Sequence, residues 1–169
     1  VVRLRFGIIL SRAGGALGRM LLPFRLGLGG RIGSGTQHWS WIALDDAVGV
    51  ILHALKQDSL AGPVNAVAPN PVTNLEFTRA LGRALRRPTL LPVPAWVARL
   101  ALGEMADELL LASTCVLPAR LLAVEHRFRF GEMEDALRHL LAPQRPSPVP
   151  SAARPSDLQS HAEIKVGTQ

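Results

Sequence analysis

Between Gly27 and Gly35 the chain places five glycines in nine residues, and this stretch divides everything around it into elements. A backbone so poor in side chains cannot sustain a packed helix or strand. It reads instead as a crossing or as the wall of a pocket. Before it comes an apolar helix end with Leu17, Met20, Leu21 and Phe24 on one face, its regularity limited by Pro23. After it, Trp39, Trp41, Ile42 and Leu44 suit a half-buried strand, and Asp45 and Asp46 open a new helix, where carboxylates accept hydrogen bonds from free first-turn N–H groups. Val48, Ile51, Leu52 and Leu55 then recur at spacings of three and four, which predicts that this face packs inward.

The beginning of the chain carries the next constraint. Val2, Leu4 and Phe6 alternate with Arg3 and Arg5 and lead through Gly7 into Ile8-Ile9-Leu10, the pattern of a strand. A buried strand of a parallel sheet needs neighbours on both edges, and parallel neighbours need helical crossovers. Nothing upstream supplies them, so the expectation is the second half of an α/β fold, its N-terminal half absent.

Further along, Val64 to Val67 is a short strand, and Thr73-Asn74-Leu75-Glu76 is a capping box. The helix that follows has Phe77, Ala80, Leu81, Ala84 and Leu85 on one face and Arg79, Arg83 and Arg86 mostly on the other. Short helices are expected from Pro94 to Gly103, Glu104 to Ser113 and Pro118 to Val124, a strand over Arg127 to Phe130, and a last helix over Glu132 to Leu141. From Pro143 five prolines fall within thirteen residues, so the domain is expected to span 1–142 and a disordered tail 143–169.

The 169 residues are 48% apolar and 19% charged, which suits one globular domain. A formal charge of +6 would ordinarily suggest nucleic acid or an anionic membrane. Here all but two of the 19 basic residues are arginines dispersed among carboxylates, with no aromatic-interleaved stripe, so no nucleic-acid partner is expected. No apolar run reaches membrane-spanning length, and no membrane partner is expected either. Cys115 is alone in an apolar run, which excludes an internal disulfide, points to a reducing, cytoplasmic setting and predicts a buried thiol. The five histidines show no metal-ligand spacing, and no metal site is expected.

Taken in order, LRFGIIL, PFRLGLGG, GSG, Gln37, WI with DD, GPVNAVAPNPVTNLEF, ALGRALRRP, PVP, GEMAD and VLPARL resemble the C-terminal half of the nucleoside-diphosphate-sugar epimerase-like group of extended short-chain dehydrogenase/reductases, with its C-terminal domain of unknown function. The resemblance covers Val1 to Leu141. It departs from the family at Ala43, where histidine is usual, and at EHRFRF, which replaces a glycine-phenylalanine turn. It implies the terminal part of a Rossmann-like NAD(P)-binding fold plus a small α/β substrate-side domain, and an NAD(P)-dependent epimerase or reductase activity on a nucleotide sugar or other small carbonyl or hydroxyl substrate. It also implies that Phe6, Gly7 and Ile8 face the nicotinamide end of the cofactor, most of which the missing half would bind.

The proton relay of that group uses a tyrosine and a lysine three positions beyond it, yet the chain contains no tyrosine. Gly30 to Thr36 lacks the lysine of a P-loop, and no G-x-G-x-x-G occurs. No catalytic residue is therefore assigned, and the chain alone is expected to be inactive. Two readings stay open for Arg25, Gln37 and Trp41: a guanidinium, an amide and an indole gripping a polar substrate beside the glycine loop, or a solvated arginine and a core tryptophan. A non-catalytic interaction module on the same fold is the alternative to the enzyme.

Overall fold

In the computed structural model, residues 1–57, 60–94 and 113–143 are described. The helices expected over 95–112 and the tail beyond 143 lie outside them. The first strand is broken at Gly7 into β1 (Val2–Phe6) and β2 (Ile8–Leu10), and the two halves take different neighbours. β1 pairs in parallel with β5 (Gly62–Ala66), from Val2 opposite Gly62 to Phe6 opposite Ala66, while β2 pairs in parallel with β4 (Trp41–Ala43). The switch requires close backbone approach. A Cβ at Gly7 would stand 2.3 Å from the Ser40 carbonyl oxygen, which itself accepts a 2.8 Å hydrogen bond from the Ile8 N–H.

The strand expected over Trp39 to Leu44 is likewise split, into β3 (His38–Trp39) and β4, because Ser40 turns its carbonyl toward β2. β3 runs antiparallel to β6 (Val72–Thr73). Leu44 belongs to helix α2 (Leu44–Lys56) rather than to a strand.

Among the described residues, two clusters fill the interior. The larger joins α1 (Gly15–Arg25), α3 (Asn74–Leu85) and the last described helix, α5 (Met133–Leu141), around Trp39, Trp41 and Phe77. Leu17, Met20, Leu21 and Phe24 are buried as their spacing predicts, and α3 begins on the capping box, Thr73 Oγ1 accepting from the Glu76 N–H and Glu76 Oε2 from the Thr73 N–H. The hydrogen bonds to its carboxylate hold Glu76 below the usual range. The smaller cluster packs α2 and Leu121 of α4 (Ala119–Ala123) on one face of the β1–β5 pair, through Ala47, Val50, Val64 and Ala66.

Four local expectations fail, each for a tertiary reason. Asp45 and Asp46 lie in the first turn of α2, but Ala43 is the N-cap and no side chain caps it. Asp46 is buried and its two carboxylate oxygens accept the Arg129 and Phe130 N–H groups at 2.7 and 3.0 Å. Those bonds take the place of a ladder, so Arg127 to Phe130 forms a loop and no strand. The inward face of α2 carries Asp46, Ala47 and Val50, while Val48, Ile51, Leu52 and Leu55 point outward. Cys115 is exposed, because its segment is held over β3 by its backbone and not by burial.

The glycine loop is a crossing. The Gly29 Cβ position is filled by the Phe24 ring and that of Gly30 by the Leu91 carbonyl, so neither position tolerates a side chain. Gly7→Ala is expected to destabilise the protein by about 1–3 kcal/mol, the cost of forcing a methyl group into a closed space. Urea unfolding followed by tryptophan fluorescence, compared with Gly49→Ala on open helix surface, measures it.

Candidate functional site

β1 and β5 are parallel and end together at Phe6 and Ala66. Ligands of open α/β sheets bind beyond the carboxyl ends of the strands, and a cavity of about 400 Å³ opens there. Arg5, Phe6, Gly7 and Ile8 form one wall, Asn65 and Val67 a second, and His38, Trp39 and Ser40 a third. Thr114 and Val116 close the cavity from the segment that follows.

Strand register accounts for the first two walls. Arg5 is directly opposite Asn65, so a cation and an amide stand side by side at the rim. Phe6 is partly exposed, and Gly7 presents backbone alone because the Ser40 carbonyl excludes any side chain. The third wall is stitched in place by Ser40. Its buried hydroxyl donates to the Thr114 carbonyl at 2.8 Å and accepts the Val116 N–H at 2.8 Å. The Thr114 N–H donates to the His38 carbonyl, and the His38 N–H to Ser113 Oγ at 3.1 Å. Asn65 Nδ2 adds a longer bond to the Leu117 carbonyl.

Phe6, Gly7 and Ile8 are thus brought together on one cavity. Arg25, Gln37 and Trp41 are not among its lining residues. Arg25 is exposed at the end of α1. Gln37 is buried in the crossing, its Nε2 donating to the Ile32 carbonyl at 3.0 Å and its own carbonyl accepting the Asn74 N–H. Trp41 is 1% exposed and its indole N–H donates to the Asn70 carbonyl at 2.9 Å, so its bonds hold a turn and its ring fills the core. Ser40 is the residue that reading the pattern missed. The available signal was a small hydroxyl between two tryptophans, where a continuous strand would favour another bulky side chain.

Away from the cavity, Asp45 pairs with His139 at 2.9 Å and Phe130 stacks on that imidazole. His126 lies between His53 and Phe128, with ring centroids 4.9 and 5.0 Å away. Burial, with the neighbouring His53, lowers the His126 pKa below the ordinary 6.5, and Asp46 opposes the shift. Among the described residues no group of three or more His, Cys, Asp or Glu side chains could hold a metal ion, and no helix is long and apolar enough to cross a membrane.

A family model described as a domain of unknown function, DUF1731, matches residues 93–140. The human epimerase family protein SDR39U1 is 44% identical over 141 residues, covering 83% of this chain and 48% of the human protein. An epimerase family protein of Mycobacterium tuberculosis is 47% identical over 137 residues, covering 81% and 46%. The crystal structure of human SDR39U1 isoform 2 with NADPH superimposes with a TM-score of 0.76 at 43% identity, over 82% of this chain and 47% of that one. A nucleoside-diphosphate sugar epimerase from Corynebacterium glutamicum gives 0.61 at 35% identity, over 83% and 26%.

With parallel strands ending on a shared cavity, these likenesses define a Rossmann-like fold of the NAD(P)-binding epimerase and short-chain dehydrogenase/reductase kind. The chain spans about half the length of the mammalian and mycobacterial epimerase family proteins it matches. Within that class it is the C-terminal half of an epimerase-like protein of the SDR39U1 type, with its DUF1731 region.

The lowered His126 pKa has a consequence for stability. The unfolded chain binds a proton at this residue more tightly than the folded one, so the contribution is complete above the ordinary value of 6.5 and is lost as pH falls through it toward the folded value. His126→Gln is expected to reduce the loss of urea resistance between about pH 7.5 and about pH 5, read as the difference between the two proteins' midpoints.

Proposed function

We propose that this chain forms the substrate-side half of an NAD(P)-dependent epimerase or reductase, and that the nicotinamide end of the cofactor lies against Phe6, Gly7 and Ile8. The observation that carries this reading is the cavity at the ends of β1 and β5, which Phe6, Gly7 and Ile8 line together. Similarity to a human protein crystallised with NADPH supports the cofactor class. The dinucleotide would supply hydride transfer, and the residues here would position it and the substrate. The tyrosine and lysine of the proton relay would come from the other half, since this chain has no tyrosine.

In this reading the substrate, a nucleotide sugar or another small carbonyl or hydroxyl compound, meets the wall of His38, Trp39 and Ser40 and the roof of Thr114 and Val116. Gln37 and Trp41 act one layer behind, by holding the Ile32 crossing and the Asn70 turn on which that wall rests. A reducing, cytoplasmic setting suits the chemistry. The NADPH in the crystal structure of the human relative favours the enzyme over a module that has lost redox chemistry.

Joining the first half of human SDR39U1 to this chain provides the test. Asn65→Ala and Phe6→Ala are each expected to weaken NADPH binding by about 0.5–1.5 kcal/mol, the worth of one neutral hydrogen bond or of part of an aromatic contact. Arg25→Ala should leave it unchanged. Titration by NADPH fluorescence, beside a thermal melt of each variant, reads both effects. Equal affinities for all three variants in folded protein would sink the cofactor placement.

A further inference from the structure

The arginines dispersed elsewhere in the chain gather at the end of α3. Arg79, Gly82, Arg83 and Arg86 stand at i, i+3, i+4 and i+7, so they share one face of the helix and of the turn that ends it. With Arg87, Pro88 and Thr89 they line an open recess of about 370 Å³, and among the described residues no carboxylate and no aromatic ring lies on its wall. Local backbone chemistry builds it. Arg86 takes a left-handed conformation, φ 54° and ψ 44°, and the Arg87 N–H donates to the Gly82 carbonyl at 2.9 Å, which turns the chain back over α3. Thr89 then closes on Gly82, where an added Cβ would stand 2.5 Å from the threonine methyl group. Glycine or asparagine ordinarily ends a helix in the left-handed conformation, because a Cβ is unfavourable there. Here that position carries a large cation.

We infer that this recess binds a free phosphoryl anion of concentrated charge, a diphosphate or a longer phosphate chain, at a site separate from the cavity at the strand ends. Arg83 is paired with Glu134, and Arg79 lies near enough to Glu76 to act on its charge. Arg86 and Arg87 have no side-chain hydrogen bond or ion pair among the described residues. Four like charges around one recess repel one another, and a compact multivalent anion relieves that repulsion while accepting forked guanidinium bonds. The partial charge at the C-terminus of α3, roughly −0.5, opposes an anion, but four full positive charges outweigh it. Without an aromatic wall nothing stacks a nucleobase, so phosphate rather than a nucleic-acid strand is the part recognised. None of these residues lines the cavity of Arg5 to Ile8, and the inference is independent of where the cofactor binds.

Calorimetric titration of this chain with inorganic pyrophosphate, without NADPH and at fixed ionic strength, is the test. Saturable binding is expected, tighter than that of sulfate. Arg86→Gly combined with Arg87→Gln should weaken it at least about tenfold, because two charge-assisted contacts are lost. Glycine suits the left-handed position, so Arg86→Gly alone should hold or raise the thermal midpoint while weakening the affinity, which separates a ligand contact from a helix-ending role. Arg25→Gln, which removes the same charge from an exposed site on α1, should bind as the native chain does. Should the chain alone lack a cooperative melt, the titrations are run on the protein joined to the human half, where the recess is read as the binding that the double substitution removes. No saturable binding, sulfate binding as tightly, or equal affinities for the native and doubly substituted proteins would overturn the inference. So would binding only to phosphatidylcholine vesicles that carry a phosphoinositide, because a lipid headgroup would then be the ligand.

Discussion

The contact of Gly7 with the Ser40 carbonyl is the constraint on which the rest of the architecture hangs. One extended segment, residues 2–10, must serve two partners, β5 along its first half and β4 along its second. That is possible only where the chain can pass within van der Waals distance of another backbone, and a hydrogen atom is the one side chain that fits. Gly7 and Ser40 also both line the cavity at the strand ends, so the contact that shapes the fold lies in the wall of the candidate site.

Polar anchors do as much as apolar burial to hold the site's surroundings. Ser40 binds the 113–117 segment over the cavity, Gln37 and Asn74 tie the glycine crossing to the start of α3, and Asp46 gathers the 126–130 loop onto α2. Each is a buried or partly buried group bonded to backbone, where leaving it unpaired would be costly. The Ser40 bonds bring Thr114 and Val116, from a loop, onto a cavity otherwise lined largely by strand residues. Loops positioned by a rigid scaffold are where binding residues concentrate.

Helix α2 has two faces of different character. Asp46, Ala47 and Val50 are buried, the latter two in the smaller cluster, while Leu44, Val48, Ile51, Leu52 and Leu55 are exposed. A sheet covered on both faces is the stable form of parallel pairing, and on this face of the β1–β5 pair the covering is made by short side chains.

Much of the fold was legible in the residues themselves. The α1 and α3 faces, the capping box at Thr73, the glycine crossing and the strand through Gly7 all follow from periodicity and local backbone chemistry, which act within a few residues. Of the residues that line the candidate cavity, Phe6 to Ile8 could be named from motif resemblance, whereas Ser40, His38 and Thr114 could not. What only the tertiary structure decided is which partner each segment meets. Periodicity showed that α2 has an apolar stripe, but the stripe faces outward while the small side chains of Ala47 and Val50 pack on the sheet. Asp46 looked like a cap and became a clamp for a loop more than eighty residues away. Helical spacing reports that a face is apolar and a carboxylate that it will be hydrogen-bonded. Neither reports the direction in space from which the partner comes, because that is set by contacts far apart in the chain.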